Sequence, residues 1–410
     1  MHTPSIGLIR EADWLDGARA RAYARIFAGV AAIALIGLLA VSSGGVDPRG
    51  EPLGTDFSNV WTASKLALSG QPASVYDMAT QYGLQKQMFG AQTGFYPFFY
   101  PPIYLLICWP LALLPYLTAL AIWLLGTGYA YQAVVRRIGE GAIGLLPVLA
   151  FPAVFVTAGH GQNAFLTTAL LGAAALSLER RPLLAGVLFG CLVFKPHLAI
   201  VAPVALVALG RWRVLFVAGA TALALMVLSW MAFGLDTWTA FFASTHAARA
   251  VLDDQMMSVD KLQSVFGAVR LLGGGASLAY ACQTAVSAGA LLALVIVLRK
   301  SVSVGAQGAA MATAAALTSP YILDYDLALL AIPLAWTTAQ ALRAGFLPWE
   351  KAVLALAFVL PAFSRVFAGA THISAAPLTV ALLFWCVWRR AATQAAPRCE
   401  LRGASTGAVA

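Results

Sequence analysis

The sequence predicts an all-α protein that crosses a membrane many times, as a bundle of about twelve transmembrane helices. Three observations support this fold class: 60% of the 410 residues are hydrophobic, only 10% are charged, and the mean hydropathy is +0.80. A soluble domain carries about 25% charged residues. Long apolar runs between short charged clusters are typical of membrane helices, because a helix satisfies its own backbone polar groups in hydrocarbon.

The first apolar run, 26–42, follows a basic segment that contains Arg19, Arg21 and Arg25. We expect an uncleaved anchor with its N-terminus inside, and a cleaved signal peptide is the alternative. The segment 101–114 holds three prolines and is shorter than the ~20 residues that a span needs, so we interpret it as re-entrant or interfacial. Further spans are expected at 117–135, 142–158, 163–178, 182–194, 197–210, 214–233, 277–298, 305–320, 326–342, 351–367 and 373–388.

Clusters of basic residues separate many of these spans, and such clusters are typical of the cytoplasmic ends of membrane helices. They account for the net charge of +9 without a nucleic-acid partner. We therefore expect a multi-pass protein of the cell inner membrane, with residues 1–390 as one domain and 391–410 as a disordered cytoplasmic tail. The clusters are Arg136-Arg137, Arg180-Arg181, Arg211-Trp212-Arg213, Arg299-Lys300 and Arg389-Arg390.

Two long loops, 43–100 and 234–276, face the periplasm or exterior in this topology. The first is expected to contain an interfacial helix from Phe57 to Ser69, with Phe57 and Trp61 on the membrane surface, and a short helix at 75–89. In the second loop, three aromatic residues predict a similar amphipathic segment: Trp238, Phe241 and Phe242.

Five polar turns reach the outer side together, and charged groups at this depth are costly unless they face a cavity or a partner. Each turn has a structural alternative: Asp56 could cap a helix, Lys195 could extend to the interface, and His197 could be an ordinary buried histidine. No histidine, cysteine or carboxylate spacing predicts a metal site. The turns are Asp56; Tyr96–Tyr100; His160-Gly161-Gln162-Asn163; Lys195-Pro196-His197; and Asp324-Tyr325-Asp326.

A series of short motifs resembles glycosyltransferase family 87, in the GT-C superfamily of membrane glycosyltransferases. The resemblance runs from about Asp56 to about Asp326, and its weight lies in the order of the pieces, since none is specific alone. At Asp324-Tyr325-Asp326 the chain departs from members that carry a histidine-bearing segment. The matching pieces are Thr55-Asp56-Phe57 with Trp61, Ser69-Gly70-Gln71-Pro72 with Val75-Tyr76-Asp77, Tyr100-Pro101-Pro102 with Pro110-Leu111 and Leu114-Pro115, Gly161-Gln162-Asn163, Lys195-Pro196, and Ser319-Pro320 with Asp324-Tyr325-Asp326.

The resemblance implies a polyprenyl-phosphate-sugar donor, usually carrying mannose, and an inverting transfer at an outward-facing site. The catalytic aspartate of the first outer loop would be Asp56, acting as general base. From the chemistry of the reaction we expect Lys195 and His197 to bind the donor phosphate. Sugar or acceptor hydroxyls would be bound by Gln162, Asn163, Asp324, Asp326 and Tyr100.

The expected partners are the lipid-linked donor, a glycolipid or glycan acceptor, and the bilayer, with no cofactor and no nucleic acid. The main alternative is a transporter or flippase for a lipid-linked or polar solute, because polar groups at membrane depth are also typical of transport pathways. A non-catalytic membrane subunit of an envelope assembly complex is a third interpretation.

Overall fold

The computed structural model describes residues 4–253, 258–300 and 302–395, and over these it contains helices and turns but no strand, which confirms the all-α class. The α-helices of this described part are α1 Pro4–Glu11, α2 Gly17–Val41, α3 Thr55–Leu68, α4 Met78–Phe89, α5 Pro102–Cys108, α6 Tyr116–Ile138, α7 Leu145–Ala150, α8 Pro152–His160, α9 Ala164–Ser177, α10 Pro182–Cys191, α11 Pro196–Ala199, α12 Val201–Ala208, α13 Trp212–Phe233, α14 Leu235–Asp253, α15 Val265–Leu271, α16 Ala276–Leu298, α17 Val304–Thr318, α18 Ala331–Ala344, α19 Glu350–Thr371 and α20 Ala376–Ala395.

Six segments in the described part of the chain are long and apolar enough to cross a membrane: Gly17–Val41, Tyr116–Ile138, Trp212–Phe233, Ala276–Leu298, Asp324–Ala344 and Glu350–Thr371. Four shorter apolar helical segments accompany them: Pro102–Leu113, Ala164–Ser177, Pro182–Phe194 and Pro196–Ala208. By length and composition, the described part of the chain thus has six candidate membrane spans, and the count of about twelve stays a prediction.

Prolines mark two breaks between helices, one inside an expected span and one between two expected spans. The span 142–158 is two helices, α7 and α8, which meet at Phe151 in an extended conformation directly before Pro152. A residue before proline is pushed out of helical geometry, so a break at this point follows from the sequence. In the same way Lys195, before Pro196, leaves the helix and separates α10 from α11.

Helix α3 differs from its expected interfacial position. Phe57 is fully buried, Trp61 is nearly so, and both pack against Tyr116 of α6 at centroid distances of 5.7 and 5.5 Å. The expected lipid-facing side of this helix is therefore covered by protein. An aromatic face looks the same in sequence whether lipid or another helix covers it, which is why the prediction was wrong.

The two long loops, 43–100 and 234–276, meet through their own helices. Residues Pro72–Tyr76 form a 3-10 turn before α4, and the ring of Tyr76 lies 5.7 Å from that of Phe241 on α14. The Pro102–Leu113 segment lies at the same end of the bundle, with Ile103 and Leu105 buried and Ile107 and Leu113 exposed. One side of this segment is thus packed against the protein, and its re-entrant or interfacial position stays a prediction.

The opposite end of the bundle is defined by ion pairs and basic residues, and we call it the basic end. Arg390 of α20 pairs with Glu350 at the start of α19, with the Arg390 Nε to Glu350 Oε1 distance 2.6 Å. Arg343, in the last turn of α18, pairs with Glu140, just past the end of α6. Helix α20 continues to Ala395, five residues into the expected tail, and 396–410 lie outside the described residues.

The Glu350–Arg390 pair should contribute more to stability than the Glu140–Arg343 pair, because the two pairs differ in burial. Both side chains are almost completely buried, whereas those of Glu140 and Arg343 are roughly half exposed. Breaking a buried pair leaves an uncompensated charge and costs about 3–5 kcal/mol, while an exposed pair contributes about 0–1 kcal/mol. We expect Glu350→Gln to lower the thermal unfolding temperature strongly in detergent, and Arg343→Gln to change it little. Equal shifts for the two variants would contradict this assignment.

Candidate functional site

Two glycines bring the elements of the site together at the end of the bundle opposite to the basic end. Gly161 ends α8 with a φ of 65°, and a Cβ on it would lie 2.5 Å from the Cβ of Phe57. Gly54 begins α3 with a φ of 69°, and its Cβ would lie 2.8 Å from Leu120. The positive φ angles and the lack of room for a Cβ both favour glycine at these two positions. The first turn of α3 can therefore contact the turn between α8 and α9 directly.

Asp56 lies in the first turn of α3 and is half-buried. Gly54 is the residue at the helix cap, so Asp56 does not have the capping role considered above. Its Oδ2 accepts a hydrogen bond of 2.8 Å from Nε2 of Gln162. The carboxylate is thus oriented by a neighbouring amide and keeps part of its surface accessible.

Gln162 is held from both sides. Its Oε1 accepts a 3.0 Å hydrogen bond from the hydroxyl of Tyr100, while its Nε2 donates to Asp56. Burial raises the pKa of Tyr100 well above its usual range, so this hydroxyl stays a neutral donor. The three side chains form one hydrogen-bonded row from the first outer loop to the α8–α9 turn.

Lys195 is the buried cation of the site, with a side chain only 3% exposed. Its Nζ donates to Oδ1 of Asn163 at 3.1 Å and forms an ion pair with Asp326. The Nζ of Lys195 also lies over the ring of Tyr325, 5.4 Å from the ring centroid. Lys195 therefore does not extend to the membrane surface, and its charge is balanced inside the protein.

Asn163 has one unused group. Its Oδ1 accepts from Lys195, while its Nδ2 is buried near the hydroxyls of Tyr100 and Tyr104 and makes no hydrogen bond of normal length and angle. Buried polar atoms are nearly always paired in folded proteins. This amide can donate to a hydroxyl or phosphate oxygen of a bound molecule.

Asp324 and His197 are set apart from this network. A carboxylate oxygen of Asp324 accepts from the backbone N–H of the next residue, Tyr325, at 2.9 Å, while the residue at the cap of this 3-10 turn is Leu323. His197 is half-buried with its ring 6.0 Å from that of Tyr321, and its Nε2 is buried without a partner. Among the hydrogen bonds of the described residues, none joins either side chain to Asp56, Gln162 or Lys195.

A histidine that the sequence analysis gave no role lies beside the predicted base. Nδ1 of His160 is 2.8 Å from the hydroxyl of Thr55, the residue next to Asp56. Its ring also packs edge-on against Tyr325 at 5.9 Å. The motif Thr55-Asp56-Phe57 and the turn at His160 were both visible in the sequence, but their contact joins positions 105 residues apart.

No group of three or more histidine, cysteine or acidic residues in the described ranges is arranged to hold a metal ion. The chemistry available in this part of the site is that of one accessible carboxylate, several amide and hydroxyl groups, and a neutralised lysine. Such a set can accept a proton, orient hydroxyl groups and donate hydrogen bonds to an anion.

Comparison with protein families gives one match, to glycosyltransferase family 87 over residues 98–320, which is more than half of the chain. No protein of curated function and no solved structure matches. The matched range contains Tyr100, Gln162, Asn163 and Lys195, whereas Asp56 precedes it and Asp326 follows it.

The close approach at Gly161 predicts a sharp contrast with the nearby Gly159. We expect Gly161→Ala to destabilise the protein by about 1–3 kcal/mol, because the new Cβ overlaps Phe57 and the residue needs a positive φ. Gly159 lies inside α8 with open space around it, so Gly159→Ala should be neutral or stabilise by about 0.5–1 kcal/mol. Thermal unfolding of both variants measures this, and a harmless Gly161→Ala would refute the role given to this contact.

Proposed function

We propose, from the premise that the chain belongs to glycosyltransferase family 87 and is a membrane glycosyltransferase, that it transfers a hexose from a polyprenyl-phosphate-sugar donor. Mannose is the proposed sugar, and a glycolipid or glycan is the proposed acceptor. The reaction is inverting, with Asp56 as general base. Family membership makes the chain a transferase, so the alternative of a transporter is not carried further.

The observation that carries the proposal is the hydrogen bond from Gln162 to the half-buried carboxylate of Asp56. A general base has to lie within hydrogen-bond reach of the proton that it removes, in a fixed orientation. Gln162 fixes one oxygen of the carboxylate, and Tyr100 fixes Gln162. The partly exposed position of Asp56 leaves room for an acceptor hydroxyl.

In the proposed step the acceptor oxygen attacks the anomeric carbon of the sugar on the face opposite to the phosphate. The bond between that carbon and the phosphate oxygen breaks, and its electron pair leaves with the polyprenyl phosphate. The hydroxyl proton passes to the carboxylate of Asp56. General-base assistance of this kind typically contributes 10²–10⁴-fold in rate, that is about 3–5 kcal/mol.

For the donor phosphate we propose Lys195 together with His197. Lysine has three N–H donors, and the hydrogen bonds to Asn163 and Asp326 account for two of them. Because Asp326 balances its charge, Lys195 would act as a hydrogen-bond donor more than as a free cation. The unpartnered Nε2 of His197 is a second potential contact for an anion.

For the sugar and acceptor hydroxyls we propose Gln162, Asn163, Tyr100 and Asp324. The buried Nδ2 of Asn163 is the strongest of these candidates, since a substrate oxygen would complete its hydrogen bonding. Asp326 was expected in the same role. Its carboxylate already accepts from Lys195 and from the backbone N–H of Leu323, so we propose that it holds Lys195 in place.

The proposed site faces the periplasm or exterior of the inner membrane. Arg136 and Arg137 lie in the last turn of α6, whereas Tyr116 at the start of this helix contacts the loop before Asp56. Basic clusters mark the cytoplasmic side, so the other end faces outward. A donor carried by an isoprenoid chain could enter this end from the bilayer.

We expect Asp56→Asn to lower transfer at least 100-fold, because asparagine cannot accept the proton, while its oxygen still accepts from Gln162. The measurement uses purified protein with labelled polyprenyl-phosphate-mannose and a glycolipid extract as acceptor. Asp236→Asn, an exposed change in the first turn of α14, is the matched control and should keep full activity. Near wild-type turnover of Asp56→Asn at an unchanged unfolding temperature would remove Asp56 as the base.

We expect Lys195→Ala to raise the KM for the donor about 10- to 100-fold, the effect of losing one hydrogen bond to a charged group. Asp326→Asn breaks the same ion pair but keeps the lysine. It should destabilise the protein comparably, with a smaller effect on the donor KM. If donor dependence is unchanged in Lys195→Ala, or changes equally in both variants, Lys195 has only a structural role.

A further inference from the structure

A cavity lies far from the proposed catalytic site, between α2 and the rest of the bundle. Its volume is about 830 Å³, and its walls come from α2, α7, α18 and α19. The lining is mainly apolar and includes Ala20, Phe27, Val148, Leu334, Leu354 and Phe358. A volume of this size is within the range of ligand-binding cavities, about 300–1,000 Å³.

The cavity belongs to the basic end of the bundle. It is lined by Tyr131 and Val135, in the last third of α6, whereas Trp123 in the first half of that helix donates to Gly161 at the catalytic end. It also takes its lining from the first half of α2, while the end of α2 leads towards Asp56. The two sites are therefore at opposite ends of the same helices.

The side of the cavity formed by α2 is exposed. Ala20, Arg21 and Tyr23 line the cavity and are exposed, and Ala24 is the one buried residue of this helix. An occupant in this position contacts hydrocarbon, and a peptide segment would have to satisfy its backbone polar groups there. A lipid chain has no such groups, so the apolar walls favour lipid.

The length of the cavity corresponds to one leaflet. Along α19, whose candidate span is Glu350–Thr371, its lining extends from Lys351 to Val359, eight residues further on, which is about 12 Å at 1.5 Å per residue. The hydrocarbon core of a bilayer is about 30 Å thick, so the cavity spans most of one leaflet. Acyl chains that enter from the basic end would fill the cavity towards the middle of the membrane.

The rim of the cavity carries two cations. Arg21 is exposed at the mouth, and Lys351 lies on the facing helix, where its Nζ is 3.3 Å from the carboxylate of Asp13. Asp16 also lines the rim, but its carboxylate accepts from the backbone N–H of Arg19 at the start of α2. Trp14, half-exposed beside them, is of the type enriched at membrane interfaces. Lys351 is already paired with Asp13, whereas Arg21 is in none of the ion pairs of the described residues, so Arg21 is the rim cation available to an anionic head group.

We propose that this cavity binds an anionic phospholipid of the leaflet at the basic end. The acyl chains lie between α2 and the α18–α19 pair, and the head-group phosphate contacts Arg21. The bound lipid fills the space that separates α2 from the bundle and so attaches this loosely packed helix. The proposal is independent of the catalytic roles above, because no residue of the network around Asp56 lines the cavity.

The test is native mass spectrometry and thermal unfolding of the full-length protein, titrated in detergent with phosphatidylglycerol or phosphatidylcholine. We expect phosphatidylglycerol to be retained and to raise the unfolding temperature more than phosphatidylcholine does. Ala20→Trp, which fills the cavity, should abolish the retained lipid. Ala22→Trp is the matched control on the same helix, exposed and outside the lining, and should keep it.

The head-group contact is tested without a change in the apolar cavity walls. We expect Arg21→Gln to weaken phosphatidylglycerol binding about fivefold, and Arg25→Gln, one turn away and outside the lining, to leave it unchanged. Retention of lipid by Ala20→Trp, or equal loss in Ala22→Trp, would overturn the site. Equal binding of phosphatidylcholine would refute the preference for an anionic head group. Full transferase activity in these variants would show that lipid binding at this cavity and the proposed catalytic function are independent.

Discussion

The contact between the first turn of α3 and the turn after α8 is the constraint on which the rest of the candidate site depends. Gly161 and Gly54 have no side chains, and a Cβ on either of them would overlap a neighbouring side chain. The two backbone segments can therefore approach closely. At that separation Gln162 reaches Asp56. The side chain of Gln162 also accepts a hydrogen bond from Tyr100, and the next residue, Asn163, accepts one from Lys195.

The ion pair between Lys195 and Asp326 completes the same network at its buried end. Charges in an apolar interior are tolerated when they are paired and their remaining hydrogen-bonding groups are satisfied. Asp326 meets this condition by accepting from the backbone of Leu323, and Lys195 by donating to Asn163. The pair joins the α10–α11 break to the 3-10 turn Asp324–Leu330, so two polar interruptions of membrane helices stabilise one another.

Much of this arrangement could be predicted from the sequence, because apolar runs and basic clusters are local signals. The helix limits agree closely where a span is one unbroken helix, as at 214–233 against Trp212–Phe233, and Asp56, Gln162 and Lys195 were expected on one side. The partner of each side chain could not be predicted. Nothing in the local pattern tells whether Asp324 or Asp326 turns towards Lys195, that α3 is covered by protein, or that Thr55 contacts His160, since these depend on packing between distant segments.

The separation in sequence between Lys195 and Asp326 has a consequence for biosynthesis. Asp326 follows Lys195 by 131 residues, and a ribosome that adds about 5–20 residues per second takes roughly 7–26 s to make that stretch. During this interval the lysine lacks the carboxylate that balances its charge in the folded protein, and burying an unpaired charge is costly. The lysine can therefore take up its buried position only after the helices that bring Asp326 have been made. The hydrogen-bonded row at Asp56 can be completed first, since Gln162 is synthesised before Lys195.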